Sequence, residues 1–301
     1  MANTFGTLNG TLIAQRALTT LVNKLPLLSR ISTKFTDQQL FDQAVKVKLA
    51  GVVAAVDYHA DNGYVASDST DSEVTVTMDQ HKHVTRHVSV EEAHSTNENL
   101  LDKYAALDAH SLATPLIDLL LGLVKDTAVP TATQQTVKAV GSFDRATLID
   151  MGTAMDNRKV ADVGRFAILN PAYYGALKKD TTVVSNNVNP ASSTITSGFL
   201  PDVDGFDVIK YNGVPANSEN LVGLTGVAES FAIATGIPTL DMLEGVPVAA
   251  RSTVVTEPQT GLSVLLVEYV DVQKGKAYRS YRWMFGGSLG NATTIEKLAS
   301  A

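Results

Sequence analysis

Arg165-Phe166-Ala167-Ile168-Leu169-Asn170-Pro171 opens the stretch whose reading decides the fold, residues 165–215. An apolar run stopped by Asn-Pro is the pattern of a short buried strand. Pro171-Ala172-Tyr173-Tyr174-Gly175-Ala176-Leu177-Lys178-Lys179 then reads as a helix. Its proline stands at the first position, where a missing N–H costs nothing, and its two lysines stand at the negative end of the helix dipole. A polar loop, residues 181–197, leads to Gly198-Phe199-Leu200-Pro201-Asp202-Val203-Asp204-Gly205-Phe206-Asp207-Val208-Ile209-Lys210-Tyr211-Asn212-Gly213-Val214-Pro215. This reads as a Gly/Pro/Asp turn and then a strand that sets Phe206, Val208 and Lys210 opposite Asp207, Ile209 and Tyr211. A second turn follows at Asn-Gly.

In this order, an Arg-led strand ending in Asn-Pro, a Tyr-bearing helix, the Gly-Phe-Asp-Val turn and strand, and Asn-Gly-Val-Pro resemble the A-domain of tailed-bacteriophage major capsid proteins. These are shell subunits of the Hong Kong 97 type. The flanking layout agrees over nearly the whole chain. The resemblance implies an α+β Hong Kong 97-like capsid fold with an N-arm, an E-loop hairpin, a P-domain built on a long spine helix and a β-hairpin, and a compact A-domain. It divides the chain into an N-terminal arm (1–40), an extended E-loop hairpin (41–92), a first P-domain segment with the spine helix (93–140), the A-domain (141–240) and a second, β-rich P-domain segment (241–301).

Working outward, residues 12–25 place Ile13, Ala17, Leu18, Leu21 and Leu25 on one helical face, with Pro26 marking the end. Residues 45–49 and 74–78 alternate strictly, and between them lies a polar, acidic stretch, residues 57–72, with four aspartates, Asp57, Asp61, Asp68 and Asp71. Two strands joined by such a tip form a projecting hairpin, because the tip has too little apolar content to pack on its own domain. Residues 91–125 carry the strongest helical pattern: Leu100, Tyr104, Leu107, Leu112, Leu116, Leu119 and Leu123. Pro115 predicts a kink or break near Ala113. Residues 126–142 read as a linker. Residues 143–159 read as a helix opening on Ser142 or Asp144, with Leu148, Met151, Ala154 and Met155 inward. Residues 221–237 read as a strand turning helical through 227–234. Strands are expected at 246–256, 262–272 and 277–285, the last two forming a long hairpin laid along the spine helix.

The totals bound the function. The 301 residues carry 45% hydrophobic and 18% charged side chains and a net charge of −7. Charge this sparse, below the roughly 25% of ordinary soluble domains, suits a surface buried against copies of itself. No Lys/Arg cluster marks a nucleic-acid binder. There is no cysteine, hence no disulfide, no thiol catalysis and no Cys-ligated zinc. The apolar run 116–124 is broken by Asp118 and falls far short of the ~20 residues of a membrane span. The chain reads as soluble and intracellular when made.

Three patterns hint at chemistry. Gly286-Gly287-Ser288-Leu289-Gly290 matches the G-x-S-x-G nucleophile elbow, whose histidine and acid must follow the serine. Residues 289–301 hold neither His nor Asp, and the last histidine of the chain is His110. A glycine turn is the reading. His81, His83 and His87 share one face of an expected strand. His-x-His can bring two imidazoles to a metal, but His87 lies about 13 Å along the strand from His83, far beyond a ~2 Å metal–nitrogen bond. A third ligand would have to be His59 or a carboxylate, and a polar strand face is the reading. The segment 202–207 hints at a calcium loop, but its glycine falls at the fourth position and not the sixth, and it reads as a turn. No catalytic, cofactor-binding or metal-binding residue is expected, and the chain is not expected to be an enzyme.

The resemblance implies a structural protein that assembles with itself into hexamers and pentamers of an icosahedral head around double-stranded DNA. It implies localisation in the virion after assembly in the host cytoplasm. The negative charge suits a wall that must not stick to packed DNA. No lysine occurs between Leu49 and His81, so the Lys–Asn crosslinks of some such shells are not expected. The capsid pattern begins too early to leave room for a long scaffolding extension. A separate scaffolding protein is therefore implied, with a portal and a decoration protein as further partners, but no specific nucleic-acid binding and no membrane. An encapsulin-like nanocompartment shares the fold and is the first alternative; a hydrolase using Ser288 is the second.

Overall fold

The computed structural model describes residues 44–49, 55, 57, 58, 61, 64, 72–89, 100–184, 200, 202–238, 251–256 and 263–301. The strands are β1 (Ala44–Leu49), β2 (Ser72–Thr77), β3 (Gln80–Ser89), β4 (Gln135–Val137), β5 (Phe166–Leu169), β6 (Asp207–Lys210), β7 (Leu221–Gly226), β8 (Phe231–Gly236), β9 (Arg251–Thr256), β10 (Ser263–Asp271), β11 (Lys276–Leu289) and β12 (Glu296–Ala299). The helices are α1 (Leu100–Gly122), α2 (Arg145–Asn157), α3 (Pro171–Lys179) and the single turn α4 (Thr181–Val184).

β5 explains its own sequence. All four of its residues are buried, as a continuous apolar run requires when both faces of a strand are covered. Phe166 and Ile168 enter one core while Ala167 and Leu169 enter another. The strand lies between β6, which is parallel to it, and β7, which is antiparallel, in a five-stranded mixed sheet of order β4-β12-β7-β5-β6. β6 repeats the alternation: Phe206 and Val208 join Ala167, and Ile209 and Tyr211 join Phe166.

Asn170 ends β5 and starts α3 at once. Its side chain accepts a hydrogen bond from the Ala172 N–H at 2.7 Å, with Pro171 following and Lys178 and Lys179 in the last turn. α2 is capped by Asp144, which accepts from the Thr147 N–H at 2.9 Å; of the two expected caps, this is the one used. Leu148, Met151 and Met155 are buried as expected, whereas Ala154 is half-buried. Together α2 and α3 cover one face of the sheet.

The other face meets α1. Leu112, Leu116, Ile117, Leu120, Leu121 and Val124, in and just after α1, share a core with Phe166, Ile168, Leu224 and Ile295. The same core takes in Tyr281, Trp283, Phe285, Val264 and Leu266 from a second five-stranded sheet. That sheet runs β3-β11-β10-β9, and the C-terminal half of β11 also pairs with β8. One helix thus cements two sheets. The β1–β2 pair is antiparallel, with Val45 opposite Val76 and Leu49 opposite Ser72, and Val76 and Met78 pack on Ala232 and Ala234 of β8.

Three expectations are corrected. Of the kink or break expected at Pro115, the break is not made: α1 runs on through the proline, with buried Leu112 and Leu116 on either side packed against the two sheets. Residues 231–236 are the strand β8 and not a helix; they hydrogen-bond to β11 from Met284 to Leu289, which outweighs the weak helical preference of Ala-rich sequence. The linker 126–142 contains β4 and buries Val129 and Gln134. β12 is hydrogen-bonded into the sheet of β5, between β4 and β7. The arm 1–40, the helix 12–25 and most of the acidic tip lie outside the described residues.

Candidate functional site

Ser288 sits on β11 opposite Ala232, half-buried, its hydroxyl 3.4 Å from the Leu289 carbonyl oxygen. The glycines around it are set by packing. A Cβ on Gly286 would stand 1.9 Å from the Thr77 carbonyl oxygen, one on Gly287 would stand 2.6 Å from Leu120 Cδ2, and one on Gly290 would stand 2.3 Å from the Glu229 carbonyl oxygen. The motif is where β2, α1 and the 228–230 turn press onto one strand. His81 is paired with Met284, about 13 Å along the strand from Ser288, so it makes no dyad with the serine.

β3 carries His81, His83 and His87 on one exposed face, opposite Met284, Arg282 and Tyr278 of β11. Among the described residues, no three His, Cys, Asp or Glu side chains come together to hold a metal ion. The 202–207 segment is a tight hairpin. Val203 and Phe206 exchange both backbone hydrogen bonds at 2.9 Å, across Asp204 and Gly205 at φ +49° and +82°. Positive φ at both central positions is the type I′ geometry that Asp-Gly favours. The Asp204 carboxylate receives a two-point hydrogen bond from Arg145 at 2.6 and 2.8 Å, which ties the turn to α2.

Sequence reading missed a charged network between α1 and the second sheet. Asp108 of α1 is buried and accepts from Arg86 Nε of β3 at 2.6 and 2.8 Å. Arg86 lies directly across from Arg279 of β11, which pairs with Glu268 of β10 at 2.8 Å. Burial pushes the Asp108 carboxyl above its usual range, against the pull of Arg86 and Arg279. Burial also pushes the nearby Tyr281 phenol up to about 12. The alternation of Arg279 with Tyr281, Trp283 and Phe285 was the available signal, since a cation on an apolar face needs a partner. A second pair is deeper: Lys297 of β12, only 1% exposed, donates to Glu219 Oε2 at 2.7 Å.

The surface offers contact more than chemistry. Val270, Val272 and Val163 are 65%, 86% and 87% exposed, and Tyr64 beside the acidic tip is 93% exposed. A shallow hollow between α2 and α3 is lined by Phe143, Ile149 and Ala176 and by the charged Arg145, Lys179 and Asp180. Among the described residues no helix is long and apolar enough to cross a membrane.

No protein-family profile matches the chain, and no curated protein matches it in sequence. Solved structures do. The capsid of the cyanophage P-SCSP1u superposes with a TM-score of 0.62 at 13% identity, over 90% of this chain and 87% of that one. A structure from Mycobacterium phage Che8 gives 0.55 at 14% identity, over 85% and 84%. The mature capsid of bacteriophage PhiM1 gives 0.56 at 9% identity, over 88% and 84%. The chain has the mixed α/β fold of phage capsid subunits along nearly its whole length.

Proposed function

We propose that this protein is a major capsid protein, the repeated subunit of an icosahedral phage head that encloses double-stranded DNA. The observation that carries the reading is the 0.62 superposition over 90% of the chain on a phage capsid subunit. At 13% identity, a likeness over 90% of the chain is a likeness of architecture, and this architecture works by contact and shape. In this reading residues 1–40 are the N-terminal arm and 41–92 the E-loop. The spine helix α1 (within 93–140) and the β-rich segment 241–301 make the P-domain, and 141–240 the A-domain, to which β4 and β12 attach. The partners are copies of itself in hexamers and pentamers, a separate scaffolding protein, a portal and a decoration protein. The protein resides in the virion after assembly in the host cytoplasm, and it turns over no substrate.

Assembly tests this. Expressed with its scaffolding protein, the chain should form hollow particles tens of nanometres across in negative stain. A monomer under those conditions, with no large species on a sizing column, overturns the reading.

A further inference from the structure

We propose that Asn212 is a site of spontaneous covalent modification, converted through a cyclic imide to aspartate and isoaspartate. The conversion loosens the hold of residues 211–219 on the C-terminal end of α1. Such chemistry asks three things of an asparagine: a side-chain amide that is not engaged, a following backbone N–H that is not engaged, and no side chain crowding that nitrogen. Asn212 is exposed in the turn after β6, and among the described residues nothing hydrogen-bonds its amide. The N–H of Gly213 likewise meets no described acceptor, and Gly213 is exposed. The other five described asparagines each fail on one count. Asn170 precedes Pro171, which has no N–H. After Asn157 the Arg158 N–H donates to the Met155 carbonyl at 3.0 Å, and after Asn220 the Leu221 N–H donates to that of Ala216 at 3.1 Å. Asn291 Oδ1 is held by the Thr293 N–H at 3.2 Å and its hydroxyl at 2.6 Å. Asn217 Nδ2 donates to the Leu121 and Val124 carbonyls at 2.8 and 2.7 Å. Asn9-Gly10 and Asn62-Gly63 repeat the dipeptide but lie outside the described residues.

The Gly213 nitrogen attacks Asn212 Cγ, and a C–N bond forms there as the bond from Cγ to the side-chain nitrogen breaks. The backbone proton leaves with that nitrogen as ammonia. Water then opens the imide at either carbonyl. Opening at the side-chain carbonyl restores the main chain as aspartate; opening at the other sends the chain through Cγ, one methylene longer, as isoaspartate. Water is the only co-reactant. The position of the turn gives the change its effect. Just before it, the Tyr211 hydroxyl donates to Asp118 of α1 at 2.7 Å. Burial and this bond push the phenol above its ordinary range, so it stays a donor in alkaline solution. Just after it, Asn217 holds the last carbonyls of α1 and Glu219 accepts from the Asp126 N–H at 2.5 Å. Asn217 and Ser218 lie at φ +50° and +61° in a turn closed by the Glu219 N–H on the Ala216 carbonyl at 2.9 Å. A Cβ on Gly213 would stand 2.9 Å from Tyr211 Cε1, so the reactive turn is folded directly against the tyrosine ring. A longer backbone and a new carboxylate between these anchors must displace one of them.

The test uses the unassembled full chain, so its outcome is independent of the capsid reading. After incubation at pH 8.5 and 37 °C, peptide mass spectrometry and labelling with an isoaspartyl methyltransferase locate the converted residues. Residue 212 should convert ahead of the other five described asparagines. The aged chain should then exchange the amides of residues 118–124 roughly tenfold faster, the effect of losing about one hydrogen bond to a charged group. Asn212→Gln, whose longer side chain disfavours the five-membered ring, should melt like the fresh parent, since the side chain is exposed. The same incubation should leave its exchange at 118–124 unchanged. Conversion at 217 or 291 ahead of 212 overturns the proposal. So does exchange at 118–124 that stays constant once 212 has converted, or that rises equally in Asn212→Gln.

Discussion

Gly286 of β11 lies so close beneath Thr77 of β2 that a single methyl on its Cα would stand 1.9 Å from the Thr77 carbonyl oxygen. Both partners are backbone, so no side chain can turn aside. The end of the β1–β2 hairpin is thereby fixed against the longest strand of the second sheet, where a Cβ on Gly236 would stand 3.1 Å from Met78 Sδ.

Gly286→Ala should therefore cost about 3 kcal/mol, the upper range of overpacking. Ser288→Ala, two residues on, should stay within about 0.5 kcal/mol. Urea melts of the two variants check this. Equal stabilities would mean that the close approach of β2 is not made in solution, and a hydrolase activity lost in Ser288→Ala would reverse the reading of the serine.

Asp108 gives a pH dependence whose sign is set by its environment. Its folded carboxyl titrates above the ordinary 3.8, because burial outweighs the hydrogen bond and charge of Arg86. The folded state then holds this proton more tightly than the unfolded chain. The contribution to stability is fully present below pH 3.8 and is lost as pH rises through the folded value. Melting temperatures of parent and Asp108→Asn, compared from pH 3.5 to 7, should show the parent's relative advantage shrinking with rising pH. An advantage that grows would mean that the ion pair with Arg86 dominates.

Lys297 and Glu219 form a pair whose halves cannot be spared singly. Lys297→Met removes the buried half of the pair while the partly exposed Glu219 carboxylate still accepts from the Asp126 N–H, and should cost about 2 kcal/mol. Lys297→Met/Glu219→Gln should cost clearly less than the sum of the two single changes. A double-mutant cycle by chemical denaturation reads the coupling directly. Additive costs would show that the 2.7 Å contact is solvated and nearly neutral.

How much of this was legible follows from the length and periodicity of each element. β5, α3 and β6 announced themselves, because a two-faced apolar strand, an Asn-Pro start and strict alternation are local signals. β8 misled because Ala232 and Ala234 carry no strand signature, and only pairing with the 284–289 end of β11 decides it. β4 and β12 have three and four residues and exist only through their partners in the sheet. The histidine face was visible as a pattern; Arg282 and Lys276 beside it were not, since they come from almost two hundred residues away and register alone brings them there.

The tip of the β1–β2 hairpin provides the last prediction. The closing pair of the ladder is Leu49 and Ser72, so residues 57–71 can be replaced by Asn-Gly without disturbing a single described backbone pair. A shorter loop lowers the entropy cost of closure slightly, and the removed segment is polar and acidic, with little apolar area to lose from the core. The melting temperature of the unassembled protein should hold within a few degrees. Assembly should not survive, because the same contact is removed at every subunit of a closed shell, and losses that are small per copy multiply over the particle. The two readouts separate the possibilities. A truncated chain that unfolds would make the tip part of the core. One that still builds shells as robust as the parent's would remove the tip from the intersubunit contacts. A chain that folds, melts normally and stays unassembled would establish it as the arm that one subunit lays on the next.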